Sequence, residues 1–168
     1  MDINSRCLTH NYSWLASKII TPISIFTKID GEKGLKTTAL RDTWATLCAI
    51  HWKVAEKMWL IPLGKRPIWW VHGRQDANFY IVDIVLENWV KVIDLNVIEC
   101  NTTEWFIIGM NVISLWDLCI SNHQWKTTMT FVCPSQKRTD YVAEWNIKHK
   151  SKIPSPTIIH QSKKKKRK

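Results

Sequence analysis

Apolar and polar residues repeat along the chain with two different periods, and the change falls near residue 62. Between Thr37 and Leu60, the residues Leu40, Trp44, Leu47, His51, Val54 and Met58 recur every three or four positions. That spacing describes one face of an amphipathic helix. Thr37 or Thr38 supplies an N-cap, and "IPLG" (61–64) supplies the proline and glycine that stop it. Beyond this point the texture becomes that of strands. "PIWWVH" (67–72), "NFYIVDIVL" (78–86), "NWVKVIDLNVI" (88–98), "EWFIIGMNVISLW" (104–116) and "WKTTMTFVC" (125–133) are dense in Val, Ile, Thr and aromatics. In "WVKVIDLNV", Trp89, Lys91, Ile93, Leu95 and Val97 share one face, and Val90, Val92, Asp94 and Asn96 the other. Both faces are partly apolar, so a covering layer is expected over much of each. The links "GRQDA", "EN", "ECNTT" and "SNHQ" are short and polar, which favours antiparallel hairpins over crossovers.

Upstream, "YSWLASKII" reads as a short helix, "TPISIFTKI" as an extended segment and "DGEKG" (30–34) as a loop. Downstream, a short helix fits "TDYVAEWNIKHK", and "SKIPSPTIIHQ" reads as a linker into a basic terminus. The expected fold class is α+β: a long amphipathic helix packed on a mostly antiparallel sheet of about five strands, with a disordered basic tail. The expected organisation is one globular domain over residues 1–147, of which 1–36 is a mixed N-terminal segment, and a flexible tail over 148–168. A chain of 168 residues suits one core better than two.

Charge sharpens that division. The formal net charge is +10, but residues 148–168 hold nine of the 24 Lys/Arg and no acid. The other residues therefore carry 15 cations against 14 acids, a net of +1. The run Lys163, Lys164, Lys165, Lys166, Arg167 and Lys168 matches a nuclear-localisation signal, read by an import receptor, with incidental phosphate affinity. The expected location is the host nucleus. Any sequence recognition has to come from a nearly neutral body with 11 tryptophans, residues that favour cores and binding surfaces.

Five cysteines at irregular spacing argue against a secreted disulfide framework and for a reducing compartment. No secretory leader is recognisable, and the sequons at Asn11 and Asn101 are then chance triplets. The longest uncharged apolar run, Trp105 to Trp116, is too short to span a bilayer, so no membrane association is expected.

The candidate chemistry is sparse. Cys48 with His51, Cys119 with His123 and Cys7 with His10 have spacings that can ligate zinc, but they sit in apolar stretches where thiols are ordinary core residues. No metal and no cofactor is expected. Phosphate-loop, dinucleotide, zinc-protease and serine-hydrolase motifs are absent. Asp83, Glu87 and Asp94 could supply a metal-binding carboxylate pair for a nuclease, but acids at strand ends are common and no catalytic spacing marks them. The reading is that the chain is not an enzyme. The segment 64–74 sets Lys65, Arg66 and Arg74 beside Trp69, Trp70 and His72, and His123, Lys126, Lys137 and Arg138 repeat the theme. Cations with aromatic faces are the mixture a nucleic-acid surface uses. The alternative is that the tryptophans are core and the cations ordinary loop charges. If the strands are antiparallel neighbours, both clusters can share one sheet edge.

The order of features from "TWATLCAIHWKVAEKMWLIPLGKRPIWWVHGRQDANFYIVDI" through "EWFIIGMNVIS" and "NHQWK" to the basic cluster resembles the DNA-binding region of the foamy-virus transactivators (Tas), part of which is shared with the accessory protein Bet. The likeness spans roughly residues 37–126. It implies a nuclear regulator that binds double-stranded promoter DNA and activates transcription, with the loops around Lys65–Arg74 and His123–Lys126 as contact sites. The alternative function is a Trp-rich viral adaptor that binds a host transcription or restriction factor without specific nucleic-acid recognition.

Overall fold

The computed structural model describes residues 6–27, 34–70, 73–136 and 138–148. Two compact units result, Met1–Gln136 and Lys137–Lys168. Strand accounts for 54% and helix for 14% of the described residues, which are therefore mostly β.

The expected long helix over Thr37–Leu60 does not form. Its first part is strand β3 (Leu35–Arg41), which follows β1 (Arg6–Asn11) and β2 (Ile20–Phe26). A loop then leads to β4 (Cys48–His51), and only Trp52–Lys57 is helical, as α1. The period of three and four arose because two kinds of strand met in one window. β3 alternates, with Ala39 and Arg41 buried. β4 is a four-residue strand buried along its whole length, and such a run cannot be told from a helix segment by periodicity. Trp44, placed on the expected apolar stripe, is 95% exposed.

The remaining elements are β5 (Gly64–Trp70), β6 (Gly73–Leu86), β7 (Lys91–Cys100), β8 (Phe106–Ile108), α2 (Met110–Ile113), β9 (Asp117–His123), β10 (Lys126–Cys133) and α3 (Tyr141–Lys148). One sheet has the order β2-β3-β8-β4-β7-β6-β5. A further pairing of β2 with β6 closes its first six strands into a barrel and leaves β5 outside, held by β6 alone among the described residues. The second sheet has the order β1-β10-β9. Among the described strands the pairs β3–β8 and β4–β7 are parallel and the other pairings antiparallel, so what differs from the expected sheet is its closure and the missing long helix. Closure removes the edges that a five-stranded open sheet would need a long helix to cover.

Inward residues of both sheets make one core. Ile25, Ile50, Ile84, Val97, Phe106 and Ile108 from the barrel are fully buried together with Met129 and Phe131 of β10. The segment read as one strand from Glu104 to Trp116 breaks at Gly109, between β8 and α2. In the second unit, α3 is capped by Asp140, whose Oδ1 accepts the amide of Ala143 at 3.0 Å.

Candidate active site

β3 ends on the buried Arg41, and the chain turns at once. The Asp42 amide donates to the carbonyl of Ile108 at 3.0 Å, and the Ala45 amide donates to the carbonyl of Asp42 at 3.3 Å. The Trp44 amide donates to Asp42 Oδ1 at 2.9 Å, so the half-buried carboxylate is fixed by its own loop. The same loop is held from below. Met110 N–H donates to Ala45 O at 2.7 Å and Asn111 N–H to Thr46 O at 3.1 Å. These bonds require the two segments to touch. A Cβ on Gly109 would lie 2.5 Å from Leu47 O and 2.8 Å from Ala45 O, so only glycine fits there.

Both flanks of the loop carry buried polar side chains. Cys48 is wholly buried; its amide and its thiol both donate to Asn111 Oδ1, at 2.9 and 3.1 Å, and its sulfur accepts the Gly109 amide at 3.3 Å. Burial pushes its thiol up to about 11, which makes it a structural group rather than a nucleophile. Arg41, 6% exposed, lays its guanidinium over the Phe131 ring at 4.4 Å. Its three side-chain nitrogens find no hydrogen-bond acceptor among the described residues, and burial lowers it to about 10 against the opposing pull of Tyr12 and Glu87.

The other described aspartates are placed differently. Asp83 Oδ1 accepts the Asp94 amide at the β6–β7 bulge, and Asp117 accepts from Ser135 Oγ and the Gln136 amide. Asp76 lies opposite Pro67 in the β5–β6 hairpin. A depression of about 300 Å³ between β2, β3 and the β6–β7 turn has Glu87 as its acid and includes no aspartate. Asp42 thus stands apart as an aspartate held in a pinned loop between two barrel strands. Sequence reading passed over it, because a helix through Thr37–Leu60 makes it one more polar-face residue.

The described residues expected to touch DNA divide among the two sheets and the second unit. Lys65, Arg66, Trp69 and Arg74 are exposed on the β5–β6 hairpin, with Trp69 paired to Arg74. Trp70 ends β5, and His72 and Lys137 lie outside the described residues. His123 and Lys126 are exposed and paired at the β9–β10 turn of the other sheet, and Arg138 is exposed in the second unit. The shared sheet edge that would have united these clusters does not exist. The run Lys163–Lys168 also lies outside the described residues. Of the zinc candidates, His51 Nδ1 accepts the Lys53 amide and caps α1, and no group of three or more metal-ligating side chains occurs among the described residues.

No protein-family model and no curated protein sequence matches the chain. Solved structures do. A retropepsin-like aspartic protease from Rickettsia conorii superposes with a TM-score of 0.50, covering 76% of this chain and 94% of its own at 9% identity. The fold is retropepsin-like. The simian foamy virus (mac) protease (TM-score 0.43, 18% identity, 57% of this chain and 92% of its own) and the EIAV protease (0.47, 14%, 60% and 88%) are further neighbours. The expected likeness to a foamy-virus transactivator is therefore overturned. So are the DNA-binding regulator, the adaptor alternative and the exclusion of enzymes: the barrel is one on which a protease is built. The sequence resemblance rested on the order of Trp-rich and basic segments, and that order constrains no particular pairing of strands.

Proposed function

We propose that the chain is an aspartic peptidase whose reactive carboxylate is Asp42. The observation that carries this reading is the fixed, half-buried Asp42 carboxylate in the pinned β3–β4 loop of a retropepsin-like barrel. An aspartic peptidase needs two carboxylates about 3 Å apart sharing one proton, because like charges that close cannot both ionise. Among the described residues one chain contributes one such loop, so the dyad forms between two copies related by a two-fold axis, each presenting Asp42. The ionised carboxylate then takes a proton from a water that adds to the peptide carbonyl, while the protonated one donates to the carbonyl oxygen. Collapse of the tetrahedral diol expels the amine, which leaves with a proton.

Cleavage of a peptide library at mildly acidic pH, followed by mass spectrometry, tests this reading. Asp42→Asn is expected to lower the rate by about a thousand-fold or more while leaving the circular dichroism spectrum unchanged. Cleavage that survives in Asp42→Asn would refute it. The basic run Lys163–Lys168 supports delivery to the nucleus by an import receptor. A fluorescent protein carrying residues 148–168 that stays in the cytoplasm would remove that part.

A further inference from the structure

The depression of about 300 Å³ where β2 runs between β3 and β6 is not lined by Asp42. Strand register fixes which side chains open into it. Ile23 and Ile25 of β2 are buried in the core, so the alternate residues Pro22 and Ser24 face outward. Directly opposed residues share a face of a sheet, and Ser24 lies opposite Lys36 on one side and Val85 on the other. The outer surface is thus a row from Lys36 through Ser24 to Val85. Neighbouring strands lie about 4.8 Å apart, so the row runs for roughly 10 Å.

Trp89 forms the rim at the β6–β7 turn. Glu87, Asn88 and Trp89 make a three-residue hairpin loop, in which Trp89 N–H donates to Leu86 O at 2.9 Å and Leu86 N–H to Val90 O at 3.0 Å. The third position of such a loop is left-handed, a conformation that suits glycine or asparagine. Trp89 holds it at a φ of 61°, lines the depression and is 74% exposed. A bulky residue retained in a strained conformation at the surface points to a use other than folding.

Charge is divided across the depression. Lys36, exposed on the β3 side, forms no ion pair among the described residues. Glu87, on the β6 side, is engaged by His10 Nδ1 at 3.5 Å. We infer that this depression binds a small aromatic carboxylate. Its carboxylate meets Lys36 and accepts from Ser24 Oγ, and its ring lies over Pro22 and Val85 against the Trp89 indole. A charge-assisted hydrogen bond to the ammonium fixes the polar end, and burial of ring surface supplies the rest. Glu87 at the opposite end repels a carboxylate there and so sets the orientation. A volume of about 300 Å³ is at the lower limit of ligand sites, which suits a two-ring molecule.

Isothermal titration calorimetry of the full chain with naphthaleneacetate tests this, with naphthaleneacetamide as the neutral control. Affinity is expected to be roughly millimolar or tighter for the acid and about ten-fold weaker for the amide. Lys36→Gln is expected to erase that difference by weakening the acid alone. Trp89→Gly is expected to weaken both ligands about ten-fold, and glycine suits the left-handed φ, so the loss is not one of folding. Circular dichroism confirms that each variant is folded. Amide chemical-shift changes on adding the acid should centre on Ser24, Lys36, Val85 and Trp89. Changes centred on Thr43–Leu47 would place the ligand at the Asp42 loop and overturn the inference, whether or not Asp42 cleaves peptides. So would equal affinity for acid and amide, unchanged binding in Lys36→Gln, or no binding at about ten times the expected concentration.

Discussion

The two ends of the Asp42 loop enter the barrel through buried polar residues that are treated in opposite ways. At the far end, Cys48 makes three hydrogen bonds to Asn111 and Gly109, and Asn111 continues to the carbonyl of Asn96 at 3.4 Å. At the near end, Arg41 has an aromatic ring beneath its guanidinium but no acceptor for its nitrogens among the described residues. A satisfied buried network fixes one geometry, whereas an unpaired buried cation subtracts from stability. The loop's position is therefore set from the Cys48 side. The Arg41 side contributes packing and carries an electrostatic penalty one residue from the candidate carboxylate.

The largest test of that asymmetry is Gly109→Ala. The new methyl would meet the backbone oxygens of Leu47 and Ala45, which no side-chain rotation can relieve. A loss of roughly 3 kcal/mol in urea-unfolding stability is expected, with peptidase activity falling further than stability alone explains. A neutral Gly109→Ala would show that the Cys48 side is not the rigid one.

The next effect appears in alkaline solution. An unfolded cysteine ionises near a pH of about 8.5, whereas folded Cys48 holds its proton up to about 11. The folded state thus binds the proton more tightly. Its contribution is complete below the unfolded value and is lost as pH rises toward the folded one. By pH 10 the loss from this one group amounts to about 2 kcal/mol. Urea titrations at several pH values should show a shallower decline for Cys48→Ala, and equal slopes would dismiss the network as a source of stability.

How much of this was legible in the sequence depended on the range of the interactions. Asn78–Leu86 and Asn88–Ile98 read as strands because β-branched and aromatic residues dominate them, and they lie largely within β6 and β7. Barrel closure by β2 on β6, and the parallel placement of β4 beside β7, join residues far apart in the chain. No local period records them. "CAIH" misled because a strand with neighbours on both sides is apolar throughout, like the inward stripe of a helix. Asp42 was not legible because a lone acid gains meaning from the loop that holds it. That loop depends on Gly109, 67 positions away by subtraction of the residue numbers.

The smallest effect bears on the near end. If Arg41 is held only by packing, then Arg41→Met keeps the contact with Phe131 while removing a desolvated charge. Exchanging a poorly compensated buried ion for an apolar side chain of similar length should raise stability by about 1 kcal/mol near neutral pH. Arg41→Lys retains the charge and should show no such gain. Differential scanning calorimetry of the two variants distinguishes these outcomes. A marked loss in Arg41→Met would mean that a carboxylate or anion satisfies the guanidinium, and both flanks of Asp42 would then be anchored alike.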